Sequence, residues 1–491
     1  MNELQNRATL RVLADEELRR IHAATLEILE TTGVKFLCEE AIAVFRENGV
    51  PVDGEGVVRF SPEVVERAIR TSPSSFTRHN LDPKRPPVRW GGGDCYIGTG
   101  STVAYIVDLE GRYRPGTEED IACFARLSDA MEHLPIGNGM VWAQDIPKPV
   151  FHARYIEVLA KNNSKVVPAG DGLDCKTSRD LVRCSQAILG GVEEQKRKKT
   201  FTMTALPQQA LLWSVEAAAV IEPAKAGLPN EICPMPLLGS MHPVTLAGGL
   251  VQMNVEMLSG IVLNQLVNPG APVVWMSWPG MLDMAVASNV FGCPEQGLFS
   301  AASAQLARWY GIPSNIIVGQ TDSKLPDQQA GYEKMMSVLL AALAGADEIA
   351  LAGGLIDFGR IACYEQVVID NEMAGYVQRA LKGITVTSEK LAIDVIREVA
   401  HGGNYIAHEH TLNHFRDEQY FPTLSNRHMR QRWEAEGSKD LRELAVERAR
   451  KILKEHRVHP LSKEQARDLE KEVGSIYKRE GIPYKPYPYD G

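Results

Sequence analysis

The sequence predicts an α/β fold: a (βα)8 TIM-type barrel with an N-terminal α+β layer and a C-terminal helical extension. From residue 134 onward, short β-favouring apolar runs alternate with longer helix-patterned stretches. The runs begin roughly 30 to 40 residues apart, the length of one βα unit, and eight units fill about 265 residues, as in a closed barrel. An open doubly wound sheet usually carries a Gly-rich phosphate turn after its first strand, and Asp145–Val150 has no such turn.

The eight predicted strands belong to the barrel segment, residues 131–402. They are Ile136–Trp142, Lys165–Ala169, Thr200–Thr204, Ile232–Leu238, Pro272–Ser277, Asn315–Val318, Glu348–Ala352 and Ile384–Thr387. A helix-patterned stretch follows each of them, the last at Glu389–Val399. This rhythm of strand and helix, rather than any repeated sequence, defines the predicted barrel.

The N-terminal layer is predicted for residues 1–130, which lack this rhythm. A helix pattern over Ala14–Glu30 stops before Gly33, a residue type that commonly follows helix ends. A hairpin-like pair of strands comes later, at Asp94–Asp108 and Gly111–Tyr113. We expect this α+β layer to pack on the barrel.

The C-terminal extension is predicted for residues 403–491, which are polar and helix-patterned. Arg427–Arg457 and Ser462–Arg479 are rich in Glu, Lys and Arg. Helices this polar usually lie on a surface or reach onto a neighbouring subunit. Pro483–Gly491 alternates Pro and Tyr, which indicates an extended arm. Together these segments predict a homo-oligomer.

Composition excludes several classes of protein. The 491 residues are 44% apolar and 23% charged, an ordinary globular composition. The formal net charge is −9, from 53 basic and 62 acidic residues without a Lys/Arg block, so no nucleic-acid partner is expected. Residues 1–12 have no signal-peptide core, and polar residues interrupt the longest apolar stretches. We therefore expect a cytoplasmic protein with no membrane partner.

No metal site is predicted. The eight cysteines show no C-x-x-C spacing, which favours reduced, buried thiols. His408, His410 and His414 are close in sequence, but the H-E-x-x-H pattern is absent and the segment follows the barrel. A structural or interface cluster is the favoured interpretation of these histidines.

The active site of such a barrel lies on the loops that follow the carboxyl ends of the strands. Three of the seven tryptophans, Trp142, Trp275 and Trp278, lie at such positions. Indole faces attract organic cations, and quaternary ammonium ligands are bound in this way by aromatic cages. The alternative, in which these indoles fill the upper layer of the barrel core, stays open.

The loop after the sixth strand carries the densest group of charged residues. Gln320, Asp322 and Lys324 lie on the loop, and Tyr332 and Glu333 lie on the helix pattern that follows. The candidate catalytic residues are Asp322, Lys324 and Glu333, of which Lys324 could form a Schiff base as in barrel aldolases. A local ion pair between Asp322 and Lys324 is the alternative.

Other strand ends add further candidates. Gly170–Gly172 follows the second strand, Gln209 the third and His242 the fourth. The candidate substrate-binding residues are Trp142, Trp275, Trp278, His242, Gln320 and Tyr332. Gly98–Ser101 lacks the spacing of a phosphate loop, so we expect a tight turn beside a ligand mouth.

The chain resembles the trimethylamine:corrinoid methyltransferase family over nearly its whole length. The matching motifs are Thr321-Asp-Ser-Lys324 followed by Asp327-x-Gln-Ala-Gly-Tyr-Glu333, Gly98-Thr-Gly-Ser101, Gly353-Gly354 and His410-Thr-Leu-x-His-Phe-Arg416. The resemblance implies a (βα)8 barrel that moves a methyl group from an amine to the cobalt of a separate corrinoid protein. It makes Gly98, Gly100, Ser101, Gly353 and Gly354 the candidate cofactor-contact residues.

The substrate class follows from a departure within this resemblance. The founding archaeal members carry pyrrolysine in the active site, whereas this chain contains only ordinary amino acids. The resemblance therefore points to the pyrrolysine-lacking branch, which demethylates quaternary amines such as glycine betaine. A quaternary ammonium leaves as a neutral amine, so positioning and desolvation are expected to contribute most of the rate. The chain has no Asp-x-His-x-x-Gly corrinoid signature, so the cobalamin is expected on the partner protein.

Two alternatives from other classes stay open at this point. One is a barrel lyase that uses Lys324 as a Schiff-base nucleophile. The other is a non-catalytic betaine-binding protein, which would bind the same ligands without transferring a methyl group.

Overall fold

The computed structural model describes residues 9–171, 174–208 and 210–488, so Gly172 and Gln209 lie outside the described residues. The helices are α1 (Asp15–Thr31), α2 (Glu39–Glu47), α3 (Pro62–Thr71), α4 (Glu118–Ala130), α5 (Phe151–Asn162), α6 (Cys175–Leu189), α7 (Val192–Lys198), α8 (Ala218–Ala226), α9 (Leu246–Val267), α10 (Pro294–Tyr310), α11 (Gln328–Ala344), α12 (Tyr364–Leu381), α13 (Ile393–Val399), α14 (Glu409–Glu418), α15 (Arg430–Ala435), α16 (Leu441–Glu455) and α17 (Lys463–Arg479). The strands are β1 (Val34–Phe36), β2 (Val57–Val58), β3 (Phe76–Arg78), β4 (Val88–Trp90), β5 (Tyr96–Thr99), β6 (Tyr105–Val107), β7 (Tyr113–Pro115), β8 (Val167–Asp171), β9 (Phe201–Ala205), β10 (Leu212–Trp213), β11 (Asn230–Ile232), β12 (Leu237–Leu238), β13 (Val273–Ser277), β14 (Gly280–Asp283), β15 (Ser288–Val290), β16 (Ser314–Ile317), β17 (Glu348–Gly353), β18 (Leu355–Ile356) and β19 (Ile361–Cys363).

A curled parallel sheet forms the centre of the molecule. Seven strands pair in parallel in the order β5-β17-β16-β13-β11-β9-β8. Ile136 makes parallel bridges to Gly98 of β5 and to Val166 beside β8, so it connects the two edges of the sheet. Helices lie between successive strands in the chain, which confirms the predicted α/β class.

Two of the predicted strands are corrected by the structure. Ile136–Trp142 makes isolated bridges rather than a regular strand, and Ile384–Thr387 is not in a strand. The position beside β17 is taken by β5, which comes from the predicted N-terminal layer. Both segments favour β-structure, but burial selects between them: Ile97 of β5 is fully buried, whereas Ile384 is 79% exposed.

The hairpin of β3 and β4 closes the amino-terminal end of the central sheet. Trp90 of β4 packs with Val274 of β13 in a small apolar cluster. Arg78, the last residue of β3, donates hydrogen bonds to the carbonyl oxygens of Val167 and Thr200 at 3.1 and 3.0 Å. The hairpin thereby places a guanidinium group inside the curled sheet.

Two small sheets border the carboxyl-terminal end of the central strands. One contains β12, β14 and β15, and the other contains β18, β19, β6 and β7. Their strands lie in the segments that follow β11, β13, β17 and β5 along the chain. These segments build the rim of the mouth, where ligands of parallel α/β folds usually enter.

Helix α9 is a core helix. Among the described residues, Leu246–Val267 alone has the length and apolar composition of a membrane span, and 72% of its most apolar window is buried inside the protein. Its buried Asn254 donates hydrogen bonds to the hydroxyl groups of Thr25 and Tyr310 at 2.9 and 2.8 Å. Hydrogen bonds to side chains of α1 and α10 are typical of a helix enclosed by protein.

The C-terminal arm packs on helix α5 of its own chain. The Tyr484 hydroxyl donates to Glu157 at 3.0 Å, and the Lys161 ammonium donates to the carbonyl oxygen of Tyr487 at 3.0 Å. Glu157 and Lys161 are themselves ion-paired at 2.9 Å and fully buried. The described part of the arm therefore covers charged side chains that would otherwise face solvent.

Candidate active site

A cavity of about 100 Å³ lies inside the curled sheet and is called the central cavity here. Successive side chains of a strand point to opposite faces, so every second residue of the central strands faces inward. The inward-facing residues that line the cavity include Thr202, Thr204, Glu231, Met276, Asn315 and Glu348. Arg78 lines its amino-terminal end and Trp278 its carboxyl-terminal end, which identifies it as the candidate active site.

Three buried charged residues, Arg78, Glu231 and Glu348, form the floor cluster of the cavity. The Arg78 guanidinium lies 3.5 Å from Oε2 of Glu348. Glu231 accepts hydrogen bonds from the Thr204 hydroxyl and the Asn315 amide, both at 3.0 Å. Each member of the cluster is at most 3% exposed. Two carboxyl groups and one guanidinium are therefore almost completely buried at the floor of the cavity.

Burial favours the protonated form of both carboxyl groups in the floor cluster. Burial raises the pKa of Glu348 to about 8, although the Arg78 charge opposes the change. Burial also raises the pKa of Glu231, against the opposing Arg78 charge and the hydrogen bonds from Asn315 and Thr204. Nε of Arg78 and Oε2 of Glu348 have no hydrogen-bond partner among the described residues. A donor and an acceptor are therefore left open to a ligand.

Aromatic side chains form much of the wall above the floor cluster. Trp278 contributes its indole from the segment after β13, and Phe151 and Tyr155 contribute their rings from α5. The Trp278 indole N–H donates to Oε1 of Gln320 at 3.1 Å, which fixes the orientation of the ring. Gln320 therefore acts behind the wall rather than in it. Aromatic faces above buried carboxyl groups suit an organic cation.

The structure places Trp275 outside the central cavity. Its side chain is fully buried, its indole N–H donates to the Ser303 hydroxyl at 2.9 Å, and its ring stacks on Tyr310 with centroids 5.5 Å apart. Both partners belong to α10. Because side chains alternate along β13, Trp275 faces the helices whereas Met276 faces the cavity. Core packing, the alternative left open by the sequence, describes Trp275.

Trp142 lies behind the cavity wall and packs against helix α5, which supplies part of that wall. Its ring stacks on Phe151 with centroids 3.8 Å apart and meets His152 edge-on at 5.6 Å. His152 lines the central cavity, and its Nε2 is buried without a hydrogen-bond partner among the described residues. Burial lowers the pKa of His152 to about 4, so its imidazole is neutral at physiological pH.

Asp322 and Glu333 hold the loops of the mouth together. Asp322 accepts hydrogen bonds from the backbone N–H groups of Phe291 and Gly292 at 2.9 and 3.0 Å. Glu333 accepts one from the backbone N–H of Asp322 at 2.9 Å. Neither carboxyl group is among the residues that line the central cavity. These contacts indicate that Asp322 and Glu333 position the loop after β16.

Lys324 and Tyr332 face the outer surface. The Lys324 side chain is 64% exposed and lies 3.7 Å from Asp357, with its ammonium 4.2 Å from the centroid of the Phe358 ring. Activated Schiff-base lysines are desolvated or lie beside another cation, and Lys324 lies beside a carboxylate in a solvated place. Tyr332 is 65% exposed. The geometry does not support the lyase alternative.

His242 is buried away from the central cavity. Its Nε2 lies 3.2 Å from Oε2 of Glu256, a residue of α9. Glu256 also accepts a hydrogen bond from the backbone N–H of Leu211 at 3.2 Å. This pair joins two loops of the rim to the core helix.

Close packing accounts for most of the glycines proposed as cofactor contacts. The backbone N–H of Gly100 donates to the carbonyl oxygen of Gly353 at 2.6 Å, and a Cβ on Gly100 would lie 2.6 Å from the Leu355 side chain. Gly354 has φ +91°, and its N–H donates to Asp370 at 2.7 Å. A Cβ on Gly354 would lie 2.5 Å from the Met140 and Val367 side chains, so larger residues at these two positions would clash with the surrounding core.

Gly98 and Ser101 lie closer to the ligand space. A Cβ on Gly98 would lie 3.4 Å from Oε1 of Glu348, so this glycine borders the floor cluster. Ser101 lines the central cavity itself. Of the five candidate cofactor-contact residues, Ser101 is the one that the structure brings to the cavity wall.

The floor cluster and the α5 residues were not among the predicted site residues. The predicted site residues follow strand ends, whereas Glu231 and Glu348 lie within strands. The predicted fourth strand begins at Ile232, one residue beyond Glu231. The sequence does contain a signal for these two residues, namely a glutamate beside or within an apolar strand pattern. Such a glutamate indicates a site, because a buried carboxyl group requires a partner or a ligand.

Comparisons with known proteins give one consistent result. A family model described as "Trimethylamine methyltransferase (MTTB)" matches residues 1–480. The trimethylamine methyltransferase of Desulfitobacterium hafniense (strain DSM 10664 / DCB-2) is 36% identical over 472 residues, 96% of this chain and 94% of the relative. The corresponding protein of Methanosarcina barkeri (strain Fusaro / DSM 804) is 37% identical over 476 residues, 95% of each chain. A glycine betaine methyltransferase of Desulfitobacterium hafniense (strain Y51) is 34% identical over 427 residues, 87% of this chain and 88% of the relative.

Proposed function

This chain belongs to the trimethylamine methyltransferase family, and from that premise we propose that it moves a methyl group from a quaternary amine of the glycine betaine type to the cob(I)alamin of a separate corrinoid protein. Family membership makes it an enzyme that acts on methylated amines. The choice of a quaternary amine, the corrinoid acceptor and the carrier protein are the proposal. With Ile136 joining both edges of the central sheet, the fold is interpreted as a (βα)8 barrel.

The central cavity is the observation that carries the proposal. It joins an aromatic wall of Trp278, Phe151 and Tyr155 to a floor that contains two carboxyl groups. An ammonium ion is attracted by aromatic faces, and its methyl groups suit an apolar wall. The lack of pyrrolysine in the sequence supports a quaternary rather than a tertiary amine as the methyl donor.

The residues of this chain contribute by binding and orientation. The wall holds the ammonium with one methyl group toward the mouth, and the floor cluster receives the opposite end of the substrate. The buried Nε–H of Arg78 and a protonated Glu348 are donors to a substrate carboxylate. Enclosure removes water from the ammonium, and a neutral amine is the leaving group, so no proton has to be supplied.

The acceptor is a corrinoid bound to its own carrier protein, and it supplies the nucleophile that takes the methyl group. The rim fits such a partner because its loops expose apolar side chains. Met241 and Val244 are 44% and 63% exposed, and Met284 and Val286 are 83% and 62% exposed. We expect a transient complex over the mouth, with an interface on the order of 1,200 Å² or less.

The proposal extends to the assembly and its place in the cell. Between residues 384 and 429 the surface exposes ten large apolar side chains, among them Ile384 and Ile406 at 79% and 83%. A surface of this kind favours self-association into a homo-oligomer, which sedimentation measures directly. A cytoplasmic location is part of the proposal.

Incubation of the protein with glycine betaine and photoreduced cob(I)alamin tests the proposal. We expect methylcobalamin and dimethylglycine to form in equal amounts. A thermal-shift panel of betaines with different tails identifies the preferred substrate, because ligand binding raises the melting temperature. Absence of methylcobalamin with every betaine tried would refute the proposal.

A further inference from the structure

The floor cluster contains more acidic than basic side chains. Arg78 contributes one positive charge, whereas Glu231 and Glu348 contribute two negative charges when both are ionised. All three residues are at most 3% exposed. An uncompensated charge in such surroundings is costly, so one carboxyl group retains a proton in the free protein.

The hydrogen-bond pattern assigns that proton to Glu348. Glu231 accepts hydrogen bonds from Thr204 and Asn315 at 3.0 Å each, and donors of this kind stabilise a carboxylate. Oε2 of Glu348 has no hydrogen-bond donor among the described residues, and its ion-pair distance to Arg78 is 3.5 Å. The raised pKa of Glu348, about 8, agrees with this assignment.

No other titratable group competes for this role at the cavity floor. On β5 and β16, the strands beside β17, the residues described as lining the cavity are Thr99, Asn315 and Ile317, which do not titrate. Of the remaining titratable groups that line the described cavity, His152 stays neutral because burial lowers its pKa to about 4. Tyr155 of α5 and Cys233, which follows β11, are the other titratable residues that line the described cavity.

We propose that the floor cluster matches its charge to that of the ligand by releasing or keeping the Glu348 proton. A cationic amine without a carboxylate adds one positive charge to the cavity, so its binding expels the proton from Glu348 to solvent. A zwitterionic betaine adds no net charge, so the proton stays and Glu348 donates it in a hydrogen bond to the ligand carboxylate. This inference rests on the proposed function, because it assumes that the amine occupies the central cavity.

The pH dependence of affinity follows from proton linkage. Below the pKa of Glu348, the affinity for a simple cation should rise up to tenfold per pH unit, whereas the affinity for a betaine should stay level. The cavity would therefore favour betaines at neutral pH and admit simple ammonium cations in alkaline solution.

Calorimetric titration of the full-length protein with tetramethylammonium and with glycine betaine tests the inference. The titrations are performed at pH 7 in buffers that differ in ionisation enthalpy, so that the number of released protons is measured. We expect close to one proton per tetramethylammonium ion and none per glycine betaine. Equal proton release for both ligands, or none for tetramethylammonium, would overturn the inference.

Two variants of the cluster and one matched control sharpen the test. Glu348→Gln should abolish proton release, weaken tetramethylammonium binding tenfold or more and change glycine betaine affinity less than threefold. Glu231→Gln should also abolish release, because Glu348 then ionises to pair with Arg78. Glu365→Gln alters a buried carboxyl group that is ion-paired at 3.0 Å outside the cavity, and it should keep the parent behaviour. Release that persists in Glu348→Gln and Glu231→Gln would overturn the inference.

The result also separates this inference from the proposed function. If glycine betaine binds and donates a methyl group while tetramethylammonium releases no proton, the inference alone is overturned. If neither ligand binds and no methyl group is transferred, the proposed function fails and the inference fails with it.

Discussion

At the residue scale, the two neighbouring tryptophans of the fifth predicted unit have different environments. Trp278 lies on the cavity wall, whereas Trp275 is fully buried against α10. The sequence placed both near a strand end, which was sufficient to find Trp278. The face on which Trp275 points depends on the exact register of β13, and the apolar run alone does not determine that register.

Replacement of Trp278 by leucine should therefore lower ligand affinity, whereas replacement of Trp275 should lower stability. Trp278→Leu removes an aromatic face, so glycine betaine affinity should fall several-fold to tenfold or more, corresponding to ~0.5–2 kcal/mol of cation attraction. The neutral analogue with a tert-butyl group in place of the trimethylammonium should lose far less. Isothermal titration with both ligands measures the difference.

Trp275→Leu serves as the matched control. It should lower the free energy of unfolding by ~2–4 kcal/mol through lost packing, while the ratio of affinities for the two ligands stays as in the parent. If Trp275→Leu loses the preference for the cation and Trp278→Leu keeps it, the assignment of the wall is wrong.

The stability of the ligand-free protein should also report the buried acid. The pKa of Glu348 rises from an ordinary 4.5 in the unfolded chain to about 8 in the folded protein. The folded state therefore binds more protons between these values, so its stability decreases as pH rises from about 4.5 to 8. Thermal unfolding between pH 6 and pH 9 should show a smaller decrease for Glu348→Gln than for the parent and for Glu365→Gln. Equal decreases in all three proteins would contradict a proton on Glu348.

At the element scale, helix α5 connects the cavity to the C-terminal arm. One side of the helix supplies Phe151 and Tyr155 to the wall, and the other side carries the buried Glu157. The arm residue Tyr484 donates to Glu157 at 3.0 Å. The sequence predicted an extended arm from its Pro and Tyr residues, but its docking partner could not be predicted because the contact joins segments more than 300 residues apart.

Tyr484→Phe removes this hydrogen bond to a buried carboxylate. The variant should lose about 1–2 kcal/mol of unfolding free energy and bind glycine betaine more weakly, because α5 is less firmly held. Chemical denaturation and titration measure the two effects. Tyr332→Phe is the control, since the Tyr332 side chain is 65% exposed and should change neither quantity. Full stability of Tyr484→Phe would show that the arm does not support α5.

The choice of strands shows the same limit of sequence reasoning at the element scale. The alternation of strand and helix predicted the α/β class and six of the eight strands in approximate position. The eighth segment was placed at Ile384–Thr387 because its composition favours β-structure. The structure uses β5 at that position because pairing with β17 buries Ile97, a tertiary effect that local pattern does not contain.

At the scale of the whole molecule, the rim of the mouth is the surface on which a partner would act. Met284, in the turn between β14 and β15, is 83% exposed. Met284→Glu should lower kcat/KM at least tenfold when the acceptor is a corrinoid protein and leave the rate with free cob(I)alamin within twofold. Val192→Glu, which alters an exposed residue of α7 away from the rim, should leave both rates unchanged. Equal losses with both acceptors would place the effect of Met284 in the cavity rather than in docking.

The central claim is that this enzyme takes its methyl group from a quaternary amine. A competition experiment tests it most directly: glycine betaine with 13C-labelled methyl groups and unlabelled trimethylamine are supplied together, at equal concentration, with cob(I)alamin. We expect methylcobalamin that is almost entirely labelled, together with an equal amount of dimethylglycine. Unlabelled methylcobalamin accompanied by dimethylamine would show that trimethylamine is the donor and would contradict the account.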